Sequence, residues 1–284
     1  MTRALPFPPV PSGKKSRELR KTQVKTPPPV QSKGGPGGVR APSRRVATIG
    51  AVVLLVIAIA AVLAVVFTGG GKSSGLPKNA VAVGSLTNGL PGASDVEAEF
   101  KGIPQTGTTL GWPSATVKMT EYIDLQCPIC DQFETQVMPD IVQKYVRTKK
   151  VQVVMKPWAF IGPDSYRGQA VALAAAKQNK AFNFTGVLYD NQGTENTGWL
   201  TDNMLYNIAQ SVPGLKIPQL FAQRNSASVK AQAAQVGADA QAQKVNGTPT
   251  IFLTKFGGKP VQVPMQNGLD ETTLVQYLDN ALGQ

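Results

Sequence analysis

Two cysteines three positions apart are the residues of this sequence best suited to chemistry. They are the only cysteines in the chain, and they stand in the segment Cys127-Pro128-Ile129-Cys130. On the first turn of a helix this spacing brings two sulfur atoms within bonding distance, so the pair can alternate between dithiol and disulfide. Unpaired backbone N–H groups at a helix start favour the thiolate. We therefore predict that Cys127 attacks and that Cys130, one turn deeper, resolves the mixed disulfide.

Two other uses of the cysteine pair stay open at this point. A structural disulfide is one, although a bridge across so short a loop restricts the unfolded chain little. Metal binding is the other, and it would need a second chain, because two thiolates cannot complete a four-ligand zinc site. Haem attachment is excluded because Asp131, not histidine, follows Cys130. We predict no metal and no cofactor.

Composition excludes several further classes of function. The sequence contains no histidine, which rules out Ser-His-Asp hydrolysis, Cys-His proteolysis and histidine-ligated zinc. The net charge is +12, but residues 1–45 hold eleven basic residues and one acidic residue, so the rest of the chain is nearly neutral. A basic surface for nucleic acid would have to lie in that tail. We predict no nucleic-acid partner.

A strand, a helix and a second strand surround the cysteines. Residues 116–125 read TVKMTEYIDL, and their alternating apolar and β-branched residues predict a strand. Pro128 suits the first turn of a helix, and apolar residues at helical spacing extend that helix to about Arg147. Residues 150–156 predict a second strand. The three elements form a β-α-β unit.

The remaining sequence predicts a helical block, a hairpin and a last helix. Helical spacing with alanine-rich stretches runs over about residues 163–246. Strands at 250–255 and 260–263 flank a Gly-Gly turn, and a helix follows over about 271–282. The order β-α-β, helical block, β-β-α predicts an α/β thioredoxin fold with a helical insertion at about 163–246.

Two further positions are candidates for the site. Glu121 shares by alternation the apolar face of the first strand, so we expect it in the core beneath the cysteines, with a raised pKa, carrying protons for Cys130. The alternative is that a twist or bulge turns Glu121 to solvent. Pro249 follows Gly247 and Thr248 at the entrance of a strand. It marks either a tight turn with a cis peptide bond or an ordinary strand start.

The first third of the chain is not patterned like a packed domain. Residues 1–45 are rich in proline, glycine and basic residues, which predicts a disordered tail. Residues 46–67 carry no charge, and a helix of that length covers roughly 33 Å, enough to span a bilayer. A buried core helix or a cleaved signal peptide fits this segment less well. We read residues 68–110 as a linker that leads to a folded domain at 111–284.

Charge around the predicted span indicates its orientation. Two arginines, Arg44 and Arg45, abut its start, and the tail before them is strongly cationic. Positive segments stay on the cytoplasmic side of a membrane. We therefore predict a single-pass protein of the cell membrane with a cytoplasmic N-terminus and an extracytoplasmic catalytic domain.

Together these residues resemble the DsbA-like branch of the thioredoxin superfamily. The likeness covers about residue 111 to the C-terminus and rests on EYIDLQCPIC at 121–130, the helical insertion and GTPTIF at 247–252. The resemblance implies a membrane-tethered thiol-disulfide oxidoreductase. In this reading Cys127 is the exposed nucleophile and Cys130 the buried resolving thiol. Pro249 would be the cis-proline that faces them, and Glu121 the buried acid.

The resemblance also implies partners. These are exported cysteine-containing substrate proteins, a membrane redox partner that reoxidises the pair, and the lipid bilayer. In the family, the residue before the cis-proline pairs its backbone with bound peptide. The positions expected to contact substrate are Thr248, Pro249, Pro128 and Ile129.

One departure from the family pattern bears on the direction of electron flow. The DsbA prototype has a histidine between its cysteines, whereas this chain has Pro128 and Ile129. Isoleucine donates neither a hydrogen bond nor a charge to the Cys127 sulfur, which predicts a weaker oxidant. Two alternatives therefore stay open. One is a reductase or isomerase kept reduced by a membrane electron donor, and the other is a non-catalytic peptide-binding module.

Overall fold

The protein is described here from a computed structural model. The structure describes residues 76–77 and 79–284. The predicted tail (1–45), the predicted span (46–67) and the first part of the predicted linker lie outside these residues. Within the part of the chain that is described, no helix is long and apolar enough to cross a bilayer.

A mixed sheet forms the centre of the described residues. Its strands are β1 (Gln105–Thr106), β2 (Thr109–Leu110), β3 (Val117–Ile123), β4 (Val151–Pro157), β5 (Thr250–Lys255) and β6 (Val261–Gln262). They lie in the order β1-β2-β4-β3-β5-β6. β3 and β4 are parallel, and all other neighbours are antiparallel. The predicted central strands are therefore confirmed, although β3 ends at Ile123, two residues before the predicted end.

The fold begins earlier in the sequence than expected. Within the predicted linker (68–110), residues Ala93–Phe100 form helix α1, and β1 and β2 extend the sheet at the free edge of β4. α1 buries Val96 and Phe100, and the Phe100 ring meets the Phe182 ring edge-on at 5.9 Å between centroids. Two-residue strands have no alternation to detect, and their pairing with β4 depends on contacts distant in sequence. These residues are part of the folded unit.

The predicted helix between β3 and β4 is confirmed and contains two wider turns. It consists of α2 (Pro128–Gln132), a π-helical turn (Phe133–Val137), α3 (Met138–Ile141) and a second π-helical turn (Val142–Val146). The Met138 N–H donates to the carbonyl of Phe133, five residues back. Pro139 follows directly and has no N–H to donate, so a local change of helical pitch lets its ring pass the preceding turn.

The helical insertion predicted at about 163–246 is also confirmed. Its helices are α4 (Pro163–Ala176), α5 (Ala181–Tyr189), α6 (Asp202–Gln210), α7 (Ile217–Gln223) and α8 (Ala227–Ala242). The side chains of Thr201 and Ser226 accept hydrogen bonds from backbone N–H groups at the starts of α6 and α8. Such caps satisfy N–H groups that have no partner within a helix, which explains why these two helices begin where they do.

A hairpin and a final helix complete the fold. β5 and β6 pair across the Gly257-Gly258 turn, and α9 (Glu271–Leu282) follows. Leu274 and Leu278 on α9 are buried in the same apolar cluster as the sheet. The Asp270 carboxylate accepts the Thr273 N–H and caps α9. The result is an α/β thioredoxin fold in which the helical insertion lies between β4 and β5.

Candidate functional site

The Cys127-to-Cys130 segment lies where β3 ends and α2 begins. Cys127 has extended backbone angles and is the residue that precedes the helix, and Pro128 occupies its first turn. The Cys127 N–H donates to the carbonyl of Asp124 at 3.0 Å, which closes the turn between strand and helix. Pro128 is exposed and Ile129 is half-buried, so both lie at the surface beside Cys127.

The two sulfur atoms differ in access and in acidity. Cys127 is 7% exposed, whereas Cys130 is 0% exposed. The pKa of Cys127 is lowered to about 6, chiefly by a hydrogen bond with the Cys130 thiol, with smaller contributions from Thr248 and from backbone N–H groups. Burial raises the pKa of Cys130 well above its usual range. Cys127 is therefore the partly exposed thiolate, and Cys130 is the buried thiol that donates a hydrogen bond to it.

Thr248 and Pro249 lie against the cysteines from a segment more than a hundred residues away. The peptide bond between them is cis. The Thr248 carbonyl is 3.5 Å from the Cys127 sulfur and accepts its hydrogen when the thiol is protonated. The site residues inferred from the two motifs, CPIC and GTPTIF, therefore meet in one place.

A cavity adjoins the cis peptide bond. Its volume is about 300 Å³, and residues 246–251 and 262–265 line it together with Gly268. Gly268 lies between the two motifs, because a Cβ atom there would be 2.9 Å from Ile129 Cγ2 and 2.9 Å from Pro249 Cδ. Sequence reasoning did not find Gly268, since this close approach joins three separate segments.

Glu121 points into the core and not to solvent. It is fully buried on β3, between Ile251 of β5 and Met155 of β4. Neither carboxylate oxygen has a hydrogen-bond partner among the described residues. Burial raises the pKa of Glu121 to about 8, so the group is largely protonated at neutral pH.

Glu134 and Tyr189 connect Glu121 with the cysteines electrostatically, and Glu99 interacts with Glu134. Burial, with a smaller contribution from Glu121, raises the Glu134 pKa well above its usual range. Burial also raises the Glu99 pKa to about 7. The pKa of the buried Tyr189 is raised first by burial and then by Cys130 and Glu134. Glu134 follows Cys130 by four residues, one helical turn, so its position on that face was readable in the sequence.

Asp124 holds three backbone segments around the cysteines. One of its carboxylate oxygens accepts the N–H of Gln126 at 3.0 Å. The other accepts the N–H groups of Phe160 and Ile161 at 3.0 and 3.2 Å. The Tyr189 hydroxyl donates to the Asp124 carbonyl at 3.2 Å. Asp124 thus ties the loop after β4 and helix α5 to the start of α2, a positioning role that the sequence did not reveal.

Comparison with protein families agrees with this geometry. The family model described as Thioredoxin matches residues 104–263. The matched segment includes β1 to β6 and both cysteines. A probable disulfide bond formation protein D from Bacillus anthracis is 30% identical over 169 residues, covering 58% of this chain and 78% of that protein.

Solved structures share the fold. Oxidised BdbD from Bacillus subtilis superposes with a TM-score of 0.56 at 20% sequence identity, covering 64% of this chain and 98% of that chain. The α-DsbA1 of Wolbachia pipientis gives a TM-score of 0.52 at 20% identity, covering 62% of this chain and 90% of that chain. Both matches extend over nearly the whole of the other chain, so the helical insertion is part of the shared architecture.

Proposed function

Because this chain belongs to the thioredoxin family, in its DsbA-like branch, we propose that its Cys127–Cys130 pair oxidises cysteine pairs of exported proteins. The chain is a thiol-disulfide oxidoreductase. The observation that supports the oxidising direction is the lowered pKa of Cys127, about 6. A stable Cys127 thiolate is a good leaving group, which makes the disulfide easy to reduce and therefore an effective oxidant.

The reaction begins with the pair as a disulfide. A substrate thiolate attacks the Cys127 sulfur, the bond between Cys127 and Cys130 breaks, and Cys130 departs with the electron pair. Because the buried Cys130 holds a proton tightly, it takes one up, and Glu121 is the proposed source. A mixed disulfide now joins the substrate to Cys127.

The second substrate thiolate completes the transfer. It attacks the substrate sulfur of the mixed disulfide, and Cys127 departs as a thiolate. Two electrons have then passed to the protein, one disulfide has formed in the substrate, and Cys127 and Cys130 are reduced. A membrane redox partner reoxidises the pair in this proposal.

Substrate binding is assigned to the surface around the cis peptide bond. Thr248 and Pro249 line the cavity there, and Pro128 and Ile129 lie at the surface next to Cys127. The backbone of Thr248 next to an open cavity suits an extended peptide, whose cysteine would lie beside the Cys127 sulfur.

The same steps run in reverse would make the protein a reductase or isomerase. The acidity of Cys127 favours the oxidant, because a stabilised thiolate shifts the equilibrium toward the reduced protein. A purely peptide-binding module would not need a sulfur with a pKa of about 6 beside the cavity.

Membrane attachment is the second part of the proposal. The uncharged segment 46–67 is assigned as a single-pass anchor, with the basic tail in the cytoplasm and the catalytic domain outside it. The two arginines before the segment and the length of the segment support this orientation.

Trapping of the mixed disulfide tests the redox proposal. Each variant, as the full chain in detergent, is mixed with a reduced, unfolded cysteine-containing protein. We expect Cys130→Ser, pre-activated at Cys127 as a mixed disulfide with glutathione, to accumulate a covalent substrate adduct on non-reducing gels. Cys127→Ser serves as the control and should form none. An adduct in both variants, or in neither, would contradict the proposal.

A further inference from the structure

The end of the sheet remote from the cysteines carries an exposed aromatic side chain. Phe256, at the β5–β6 turn, is 92% exposed, and Val261, just beyond the turn, is 53% exposed. Lys255 and Lys259 flank the glycines of the turn. Most phenylalanine side chains are buried, so an almost fully exposed Phe256 ring beside two lysines is unusual and indicates a binding surface.

The turn adjoins the starts of the two central strands. Val117 of β3 pairs with Val151 of β4 and with Lys255 of β5. The Phe256 N–H donates to the Thr116 carbonyl at 3.0 Å. Because Cys127 follows the opposite end of β3, this surface and the cysteines lie at opposite ends of the sheet.

The three segments that meet here are uniformly basic. Residues 112–118, 147–151 and 254–261 contain six basic residues and no acidic residue. The basic residues are Lys118, Arg147, Lys149, Lys150, Lys255 and Lys259. We call these six residues, with Phe256 and Val261, the basal surface.

The lysines of the basal surface are available to an external anion. None of the five forms an ion pair with a described residue. Lys149 lies 5.3 Å from the centre of the Trp112 ring. Arg147 differs, because its guanidinium donates to the carbonyls of Glu99 and Lys101. The lysine charge is therefore exposed and uncompensated within the described part of the chain.

We propose that the basal surface binds the anionic headgroup surface of a lipid bilayer. Lysines at such a surface gain from the negative potential, and a protruding aromatic ring suits the boundary between headgroups and acyl chains. A basic surface that only contacts water would explain the lysines but not the exposed apolar side chains of Phe256 and Val261. The predicted span ends at residue 67, and the nine steps of chain to Leu76 reach at most roughly 30 Å. This step rests on the proposed membrane anchor, which would hold the domain close to a bilayer, where even a weak contact is populated.

Binding in this way would orient the cysteines. The six residue steps of β3 from Val117 to Ile123 cover roughly 20 Å. Cys127 would then lie more than about 20 Å above the headgroups and face away from them. Substrate would approach from the aqueous side.

Protection from trypsin tests this proposal. The full chain is reconstituted in nanodiscs of phosphatidylglycerol and, separately, of phosphatidylcholine. Because Pro260 follows Lys259, cleavage at the turn is measured after Lys255, by mass spectrometry. We expect cleavage after Lys255 to be at least about tenfold slower on the anionic lipid, since each lysine at such a surface contributes roughly fivefold and two lysines together exceed this factor. Salt at about 0.5 M should abolish most of the difference.

Two variants and two matched controls sharpen the test. Phe256→Ser and the double variant Lys149→Glu, Lys150→Glu should each restore fast cleavage after Lys255. Val83→Ser changes an exposed apolar residue, and Lys216→Glu changes an exposed lysine of the helical insertion that pairs with Val83. Both should leave the protection unchanged.

Three outcomes would overturn the proposal. Equal cleavage on both lipids means that no anionic surface is bound. Protection that persists in detergent without lipid means that a second copy of the chain covers the surface. Protection that is unaffected by Phe256→Ser and by the charge reversals means that another surface binds lipid. The test does not involve Cys127 or Cys130, so its result is independent of the redox proposal.

Discussion

Cys127 and Cys130 lie one helical turn apart, and yet their pKa values shift in opposite directions. The buried Cys130 keeps its proton and directs it at the Cys127 sulfur, which lowers the pKa of Cys127. The Ile129 side chain plays no part in lowering the Cys127 pKa, and only the Ile129 backbone N–H contributes. A chain without histidine between its cysteines can therefore still have an acidic thiol. The neighbouring cysteine and the start of the helix supply the stabilisation instead.

Removal of the Cys130 thiol should therefore raise the pKa of Cys127. We expect Cys130→Ala to move that pKa from about 6 toward the ordinary value for cysteine, because the hydrogen bond that lowers it most is lost. Cys130→Ser keeps a hydroxyl donor and should retain most of the effect. Thiolate absorbance in the ultraviolet, followed against pH, measures both variants. Equal pKa values in the alanine and serine variants would contradict the role given to this hydrogen bond.

Glu121 should make stability depend on pH. Its folded pKa is about 8, whereas a glutamate in an unfolded chain titrates near about 4.3. Between these values the folded state holds a proton that the unfolded state has released, so stability falls as pH rises. The loss approaches about 1.4 kcal/mol per pH unit. Below about pH 4 the carboxyl is protonated in both states and the penalty disappears.

Glu121→Gln removes this titration without a large change of shape. We expect the free energy of unfolding to fall less steeply in the variant than in the unmodified chain between about pH 5 and 8, by a total of about 2–4 kcal/mol. Urea unfolding of the reduced chain at several pH values measures the difference. The variant keeps part of the slope because Glu134 is also raised in pKa. Parallel stability curves would show that Glu121 is ionised in the folded state.

At the scale of elements, the site depends on how a strand end, a helix start and two loops are held together. Asp124 connects the end of β3 with the loop after β4, and Gly268 lets the turn before α9 lie against Ile129 and Pro249. Neither residue reacts. We expect both residues to position the segments that surround the Cys127 sulfur.

Asp124→Ala should destabilise the protein by about 3 kcal/mol, because three N–H groups would lose their acceptor. Asp140→Ala provides the comparison. Asp140 also carries a charge in a hydrogen bond, with Lys144 at 2.8 Å, but this pair is exposed, so its loss should cost less than about 1 kcal/mol. Urea unfolding measures both variants. Equal losses would mean that Asp124 does not organise the loop.

Gly268→Ala should impair substrate binding as well as stability. The residue has a φ of 74°, and the added Cβ would press on Ile129 and Pro249. Gly257→Ala is a matched control, since Gly257 has the same φ and no described atom within 4 Å of the added Cβ. Both variants should lose about 1–2 kcal/mol of stability from the backbone alone. Only Gly268→Ala should also raise the KM for a peptide substrate.

The elements that the sequence predicted are those with long periodic patterns. β3, β4, β5, the helix that starts at Pro128 and the helical insertion follow this rule. The residues 93–110 were assigned to a linker because α1 is short and β1 and β2 have two residues each. These residues are fixed in place by contacts distant in sequence, of β2 with β4 and of α1 with α5, which no local pattern encodes.

The candidate site follows the same division. Cys127, Cys130 and Pro249 stand in motifs, and Glu121 follows from strand alternation. The contacts of Asp124 with the loop after β4, and those of Gly268, join segments 19 or more residues apart in sequence, so only the folded chain reveals them. The roles of these residues in catalysis remain predictions.

At the scale of the whole molecule, charged and apolar residues are distributed unevenly along the chain. Nearly all of the net positive charge precedes residue 46, and the uncharged segment 46–67 follows at once. The folded unit after it is close to neutral, apart from the local concentration of lysines on the basal surface. This distribution suits a protein that works beside a membrane.

The orientation can be checked with the cysteines themselves. In bacterial spheroplasts that express the full chain, a membrane-impermeant maleimide should label Cys127 after mild reduction without permeabilisation, because the catalytic domain is predicted outside the cytoplasm. Cys127→Ser is the control for specificity, since the sealed Cys130 should react far more slowly. Labelling that requires permeabilisation would place the domain on the cytoplasmic side.

In the proposed reaction, the unequal burial of the two sulfurs would also determine which cysteine forms the mixed disulfide and how long that mixed disulfide lasts. In the proposed reaction, a substrate would attach only to Cys127, since Cys130 is fully buried. Because burial raises the pKa of Cys130, little of it is thiolate. We therefore expect Cys130 to attack the mixed disulfide slowly and to release the attached protein slowly. During that delay the second cysteine of the substrate could reach the mixed disulfide. In the proposed reaction, a substrate with a second cysteine would leave oxidised, whereas a substrate with a single cysteine would be released unchanged.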